Sequence, residues 1–210
     1  MQYLLVLGAY LLGSLPFGLL LGKAAGTDVR QAGSGNIGAT NVSRLVGKRL
    51  GALTLLLDAG KALLPMVAAG WLLAGQPGTD RWVALCGAAA FLGHLYPLYL
   101  KFRGGKGVAT ALGIFLYLEP LAALLVILLF IVVVYNWGYV SLGSLSAALF
   151  MPGLVWLLSA SGPHTLLALF VGVLIWLKHR DNIRRLMRQE EKSWRRKARP
   201  AARGEEKEPK

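Results

Sequence analysis

Apolar residues in this chain do not alternate with polar ones; they come in long unbroken runs. The runs cover approximately 2–22, 51–74, 82–100, 108–118, 120–137, 142–159 and 163–177, with polar residues collected between them. Such runs predict helices that are apolar all round, and a bilayer crossing needs roughly 20 residues of this kind. The stretch 108–137 is too long for one straight span. Glu119-Pro120 divides it, because proline removes a helical donor and crowds the preceding turn. Its two halves are short for a full crossing, which predicts a shallow helix or a locally thinned bilayer. Helices satisfy their own backbone polar groups in lipid, so the pattern predicts an all-α, polytopic membrane protein. Seven transmembrane helices is the expected count, with six as the alternative.

The polar connections set an orientation. Lys23, Arg30, Arg44, Lys48 and Arg49 lie in the first long loop, and Lys101, Arg103 and Lys106 lie in the loop at 101–107. Thirteen of the 23 Lys and Arg residues fall between Lys178 and Lys210. The alternate connections carry almost no positive charge, Arg81 excepted. The positive-inside rule then places the N-terminus outside, and both basic loops and the C-terminus in the cytoplasm. Seven spans reconcile those ends; six do not. The chain divides into a membrane domain, 1–182, and a basic tail, 183–210, whose mixture of Arg, Lys, Glu and Pro suits disorder or a helix lying on the membrane surface.

Composition agrees with this reading and removes other classes. The 210 residues are 55% hydrophobic and only 16% charged, with a mean hydropathy of +0.54. A soluble domain carries roughly 25% charged residues. The net charge of +13 is concentrated beside apolar spans, which favours an anionic leaflet over nucleic acid as its partner. Cys86 is the only cysteine, so neither an intrachain disulfide nor a cysteine-rich metal site is available. Met1-Gln2 lacks the basic start of a signal peptide, so the first run is expected to stay as a span.

Three polar clusters fall on the predicted cytoplasmic side. The first is Gly33-Ser34-Gly35-Asn36-Ile37-Gly38-Ala39-Thr40-Asn41-Val42-Ser43-Arg44. Glycines let backbone N–H groups approach an anion, and Ser34, Asn36, Thr40 and Asn41 offer neutral donors. Arg44 adds a planar fork suited to phosphate. The second cluster runs from His94 through Lys101-Phe102-Arg103-Gly104-Gly105-Lys106-Gly107 to Thr110. It resembles a phosphate loop without the G-x-x-x-x-G-K-[ST] order, so nucleotide hydrolysis is not indicated. Gly105, Lys106 and Gly107 precede an apolar helix whose first N–H groups also favour an anion. The third cluster holds His179 and Asn182, which share a helical face at i and i+3. His179 is a candidate base or hydrogen-bond donor. Asp58 and Lys61 are spaced to pair inside a span. Ser141 and Ser144 open a helix on the same side, either as caps or as lining of the site.

The chemistry that is missing also narrows the choice. Neither G-x-S-x-G, H-E-x-x-H nor His-x4-Asp occurs, and acidic residues are scarce around the clusters. No metal and no cofactor are expected.

Taken together, the three clusters resemble those of the bacterial acyl-phosphate-dependent glycerol-3-phosphate acyltransferases, the PlsY family. The likeness covers Gly13 to Gly18, Gly33 to Arg44, Asp58 to Lys61, Gly93-His94 with Pro97, Phe102 to Thr110, and His179 to Arg184. One departure is Trp137-Gly138-Tyr139, where a basic residue is expected just before the tyrosine. The resemblance implies transfer of a fatty acyl group from acyl phosphate to the 1-hydroxyl of glycerol-3-phosphate, giving lysophosphatidic acid and inorganic phosphate in phospholipid synthesis. It implies a multi-pass protein of the bacterial cytoplasmic membrane with its site facing the cytoplasm, and contact with the enzyme that produces acyl phosphate. Ser34, His179 and Asn182 become the expected catalytic residues. Ser34, Gly35, Asn36, Thr40, Asn41, Arg44, Gly105, Lys106 and Gly107 become the expected phosphate ligands, with Ser141 and Ser144 lining the site. A phosphate-ester transporter or lipid translocator is the alternative; it would normally show internal repeats and a path near mid-membrane.

Overall fold

The computed structural model describes residues 1–195, and every regular element among them is helical. The chain begins with α1 (Gln2–Gly13) and α2 (Phe17–Ala24), which form one apolar passage broken at Pro16. Ser14 softens that break by returning its hydroxyl to Tyr10 O at 2.8 Å. A loop then leads to the short amphipathic α3 (Ala39–Val46) and the long α4 (Lys48–Leu72). After a turn, α5 (Thr79–Leu95) returns, followed by a single 3-10 turn at Leu98–Leu100. The remaining helices are α6 (Val108–Leu118), α7 (Pro120–Trp137), α8 (Val140–Ser159), α9 (Gly162–Lys178) and α10 (Arg180–Met187).

The expected apolar runs correspond to these helices within a few residues, and the sequence breaks where the residues forbid continuation. Two elements lie outside the seven runs. Both α3 and α10 are short and amphipathic, so they carry no apolar stretch. Five passages are long and apolar enough to cross a membrane, counting α1 and α2 as one. Joining α9 to α10 across their 58° bend gives a sixth. The eleven residues of α6 rise roughly 16 Å, well short of the roughly 30 Å hydrocarbon layer.

Large apolar side chains such as Leu56, Trp71, Leu128, Leu157 and Leu166 face outward, as lipid contact allows. Helix contact in such a setting depends on close packing rather than on the hydrophobic effect. Where α1 crosses α5, a Cβ at Gly13 would run into the Ala90 backbone, and one at Gly93 would meet the backbone of Tyr10 and Ser14. Phe91, Leu95, Ile114, Phe115 and Met66 fill the space between α4, α5 and α6.

The helix ends fall into two groups. At one end Gln2 donates to Gln76 at 3.4 Å, and a Cβ at Gly70 would meet the Tyr117 hydroxyl. Glu119 belongs there too. It accepts from the Ser159 hydroxyl at 2.8 Å and lies 2.6 Å from His164 Nδ1, joining the α6–α7 break to the α8–α9 turn. The three polar clusters gather at the opposite end.

Candidate active site

The first glycine-rich loop is knitted by one side chain. Asn41, buried in the first turn of α3, accepts the Ser34 N–H at 2.9 Å. Its amide donates to the carbonyls of Val29 at 2.8 Å, Asn36 at 2.9 Å and Ala32 at 3.2 Å. Asn36 in turn accepts the Gly38 N–H at 2.8 Å. An amide suits this work because one side chain supplies two N–H donors and an acceptor oxygen to an irregular backbone. The loop therefore presents the Ser34 hydroxyl, Thr40 and Arg44 on a fixed frame, while Asn41 is occupied inside it.

The second loop folds back onto the helix that precedes it. The Gly104 N–H donates to Leu95 O at 3.2 Å and the Gly105 N–H to His94 O at 3.1 Å. Lys101 and Phe102 hold positive φ of 52° and 62°, which turns the chain sharply enough for this return. Gly107 follows with φ of 85° and starts α6, so the unpaired N–H groups of the first α6 turn open beside Lys106.

The third cluster lies at the bend between α9 and α10. His179 ends α9, and its Nδ1 lies 2.8 Å from Ile175 O. A carbonyl accepts only, so Nδ1 carries the proton and Nε2 is the free nitrogen. Asn182 accepts from Lys106 Nζ through its side-chain oxygen. Beyond α10, residues 188–195 run across the site. Lys192 donates to Gly33 O at 2.7 Å, and its own carbonyl accepts from Arg44 Nη2 at 3.1 Å. The Trp194 N–H reaches Gly138 O at 2.9 Å. Glu191 enters the wall: Oε1 accepts from Asn182 Nδ2 at 2.6 Å and Ser141 Oγ at 2.8 Å, and Oε2 from Arg185 Nε at 2.7 Å.

These parts enclose a cavity of about 300 Å³. Ser34, Asn36, Thr40, Arg44, Lys106, His179 and Asn182 form its polar side, and Leu55, Val108, Ala109, Phe130 and Val140 form an apolar wall. A second cavity of about 180 Å³ shares Ser34, Asn36, Lys106 and Asn182, and adds Gly35, Gly104, Gly105, Lys178 and Asp181. Burial pushes the Lys106 ammonium down to about 8; Glu191 pulls it up, and Arg185 and Arg44 push it further down. Burial opposes the Glu191 charge, but the bonds from Arg185, Asn182 and Ser141 outweigh it and hold the carboxyl below its usual range.

All three sequence clusters thus meet in one place. Ser141 and Ser144 line the large cavity and cap nothing; Ser144 returns its hydroxyl to Val140 O at 2.9 Å. Asp58 and Lys61 pair at 2.8 Å, as their spacing predicts. Glu191, Arg185 and Lys192 are the residues that sequence reasoning missed. They sit in a charged run that reads as solvated tail, and the one signal of their place is the proximity of that run to Asn182. The part of the tail after residue 195 lies outside the described residues.

The model of the glycerol-3-phosphate acyltransferase family matches residues 3–189. A glycerol-3-phosphate acyltransferase of Desulfotalea psychrophila is 52% identical over 197 residues, covering 94% of this chain and 100% of the relative. One from an Anaeromyxobacter species is 51% identical over 193 residues, covering 91% and 95%. Among solved structures, the glycerol 3-phosphate form of PlsY, an integral membrane glycerol 3-phosphate acyltransferase, superposes with a TM-score of 0.86 at 37% identity, over 92% of this chain and 95% of that one. Its lysophosphatidic acid form gives 0.83 at the same identity. Matches of this extent along nearly the whole chain leave one assignment: the chain is an integral membrane member of the glycerol-3-phosphate acyltransferase family.

Proposed function

We propose that this protein transfers a fatty acyl group from acyl phosphate to the 1-hydroxyl of glycerol-3-phosphate, releasing lysophosphatidic acid and inorganic phosphate. One observation carries the reading. A single cavity has Arg44, Lys106 and glycine-loop donors on one side and an apolar wall open to helices α4, α6 and α7 on the other. That pairing suits two phosphate-bearing substrates, one of which has a hydrocarbon tail. The hydroxyl oxygen bonds to the acyl carbonyl carbon, the carbon–oxygen bond to phosphate breaks, and the hydroxyl proton ends on the departing phosphate. Phosphate is already a good leaving group, so positioning and charge stabilisation supply the catalysis.

Arg44 and Lys106 hold substrate phosphates, supported by Gly35, Asn36, Thr40 and the Gly107 N–H, while Gly105, whose N–H is bonded to the His94 carbonyl, shapes the loop beside Lys106. Ser34 and Asn182 orient oxygens, and His179 presents Nε2 to the reacting hydroxyl. Asn41 contributes by shaping the loop. Ser141 lines the site and tethers Glu191. No metal requirement is expected: among the described residues of the larger cavity Glu191 already accepts three hydrogen bonds and Asp58 pairs with Lys61, which leaves little carboxylate charge to hold a cation.

The alternating helix ends support seven passages with the N-terminus outside and the site on the cytoplasmic face of the bacterial inner membrane. The functional unit extends to residue 195, beyond the boundary at 182 that composition suggests, and the exposed Lys23, Lys48, Arg49, Lys101 and Arg103 form the basic surface on which the acyl-phosphate-producing enzyme would dock. Purified protein given acyl phosphate and labelled glycerol-3-phosphate should form lysophosphatidic acid, and acyl-coenzyme A should not replace the donor. Equal turnover with the thioester would overturn the donor assignment, and turnover with neither would overturn the reaction.

A further inference from the structure

Beneath the second loop lie three ionisable side chains that the transfer itself does not use. Asp58, Lys61 and His94 are 2%, 2% and 4% exposed. Lys61 Nζ stands 2.8 Å from Asp58 Oδ1 and donates to Leu15 O, the carbonyl at the α1–α2 break, at 3.0 Å. His94 Nδ1 faces the same Asp58 oxygen at 3.7 Å. The other edge of the imidazole supports the loop. A Cβ at Gly105 would run into His94 Nε2, so only glycine lets the backbone lie against the ring. The Gly105 N–H is held by the His94 carbonyl as well. One residue thus supports Gly105 with both its ring and its main chain, and Gly105 is the neighbour of Lys106.

His94 and Asp58 reach the wall of the larger cavity, but both nitrogens of the imidazole are turned to the protein. Gly105 covers Nε2, and Nδ1 is buried without a hydrogen-bond partner, turned toward Asp58. The cost of burying two ionised groups and an imidazole together needs a return elsewhere in the fold. We propose that His94, braced by the Asp58–Lys61 pair, is a positioning residue that sets the height of Gly105 and thereby aims the Lys106 ammonium at the substrate phosphate. This rests on the reading of Lys106 as a phosphate ligand. Through Lys61 and Leu15 the same brace ties the loop to the first helix break.

The test compares His94→Ala, His94→Gln and His94→Asn in the full-length purified protein. Glutamine reaches toward Gly105; asparagine keeps a donor facing Asp58 but falls short of the loop. His94→Ala and His94→Asn should raise KM for glycerol-3-phosphate about tenfold or more with kcat within about threefold, and His94→Gln should recover most of that KM. Inorganic phosphate should raise the melting temperature of wild type and His94→Gln but not of His94→Asn. The phosphate shift needs no turnover, so it tests the loop even if the wild type fails to transfer acyl groups. Wild-type KM and phosphate stabilisation in His94→Asn would overturn the proposal, as would equal defects in His94→Gln and His94→Asn. If His94→Ala does not fold, the other two variants decide it.

Discussion

At the scale of single residues the site depends on a lysine whose charge is close to failing. Lys106 is held at about 8, chiefly by burial. A depressed lysine is cationic below that value and neutral above it. Glycerol-3-phosphate stays a dianion throughout this range, because the second phosphate ionisation falls near pH 6. The sign follows directly: kcat/KM for glycerol-3-phosphate should hold on the acid side of about 8 and fall with rising pH, approaching tenfold per unit. Lys106→Arg should abolish that alkaline limb, because a guanidinium keeps its charge. A profile flat to pH 10 in the wild type would remove Lys106 from phosphate binding. Arg44 and Lys106 were legible in the sequence because a cation among glycines between apolar runs has few structural uses. Asn41 was legible as a loop residue but not as the one that knits the loop, since its partners are carbonyls up to twelve positions away. Glu191 was legible only as a neighbour of Asn182 in sequence, because its three donors come from α8 and α10 and no local spacing encodes that meeting.

At the scale of elements, the apolar runs gave the long helices and Pro16 and Pro120 marked two of their breaks, while α4 and α8 run on through Pro65 and Pro152. Elements with amphipathic or charged composition were harder to read. The segment after α10 is the clearest case: its composition matches a solvated tail, yet Glu191, Lys192 and Trp194 contact Ser141, Gly33 and Gly138. Removing it would leave Arg185 without its carboxylate and take a hydrogen-bond acceptor from Asn182 and Ser141. Groups stranded in this way cost about 1–3 kcal/mol each where they are buried. A chain ended after Arg195 should therefore keep wild-type transfer activity. One ended after Met187 should lose at least about tenfold in kcat/KM, equal to about 1.4 kcal/mol at the transition state. Equal activity of the two truncations would show that the segment is an accessory to the site. The α6–α7 break makes the complementary point. Its position was clear from Glu119-Pro120, but its junction with Ser159 and His164 was not, because that junction depends on helix heights.

At the scale of the whole molecule, the sequence carries orientation in its charges and the fold carries it in the grouping of helix ends. Gln76 lies at the end that holds Gln2, while Arg103 lies in the loop that carries Lys106 at the other end. Helix lengths alone do not decide the count, because α6 is short and the α9–α10 pair is bent. Charge predicts a side: cytoplasmic loops are rich in Lys and Arg, and the loop at 101–107 carries three. On a Cys86→Ala background, which removes the one native thiol, Gln76→Cys should react with a membrane-impermeant maleimide in intact cells. Arg103→Cys should react only after the membrane is opened. Both side chains replaced are exposed, so failure to label would not come from burial. Reaction of both from the same side would overturn the crossing of α5 between them, and reaction of Arg103→Cys alone in intact cells would invert the protein. Inversion would place the phosphate cavity outside the cell, away from the cytoplasmic acyl phosphate and glycerol-3-phosphate that the proposed reaction consumes, so this measurement bears on function as well as on topology.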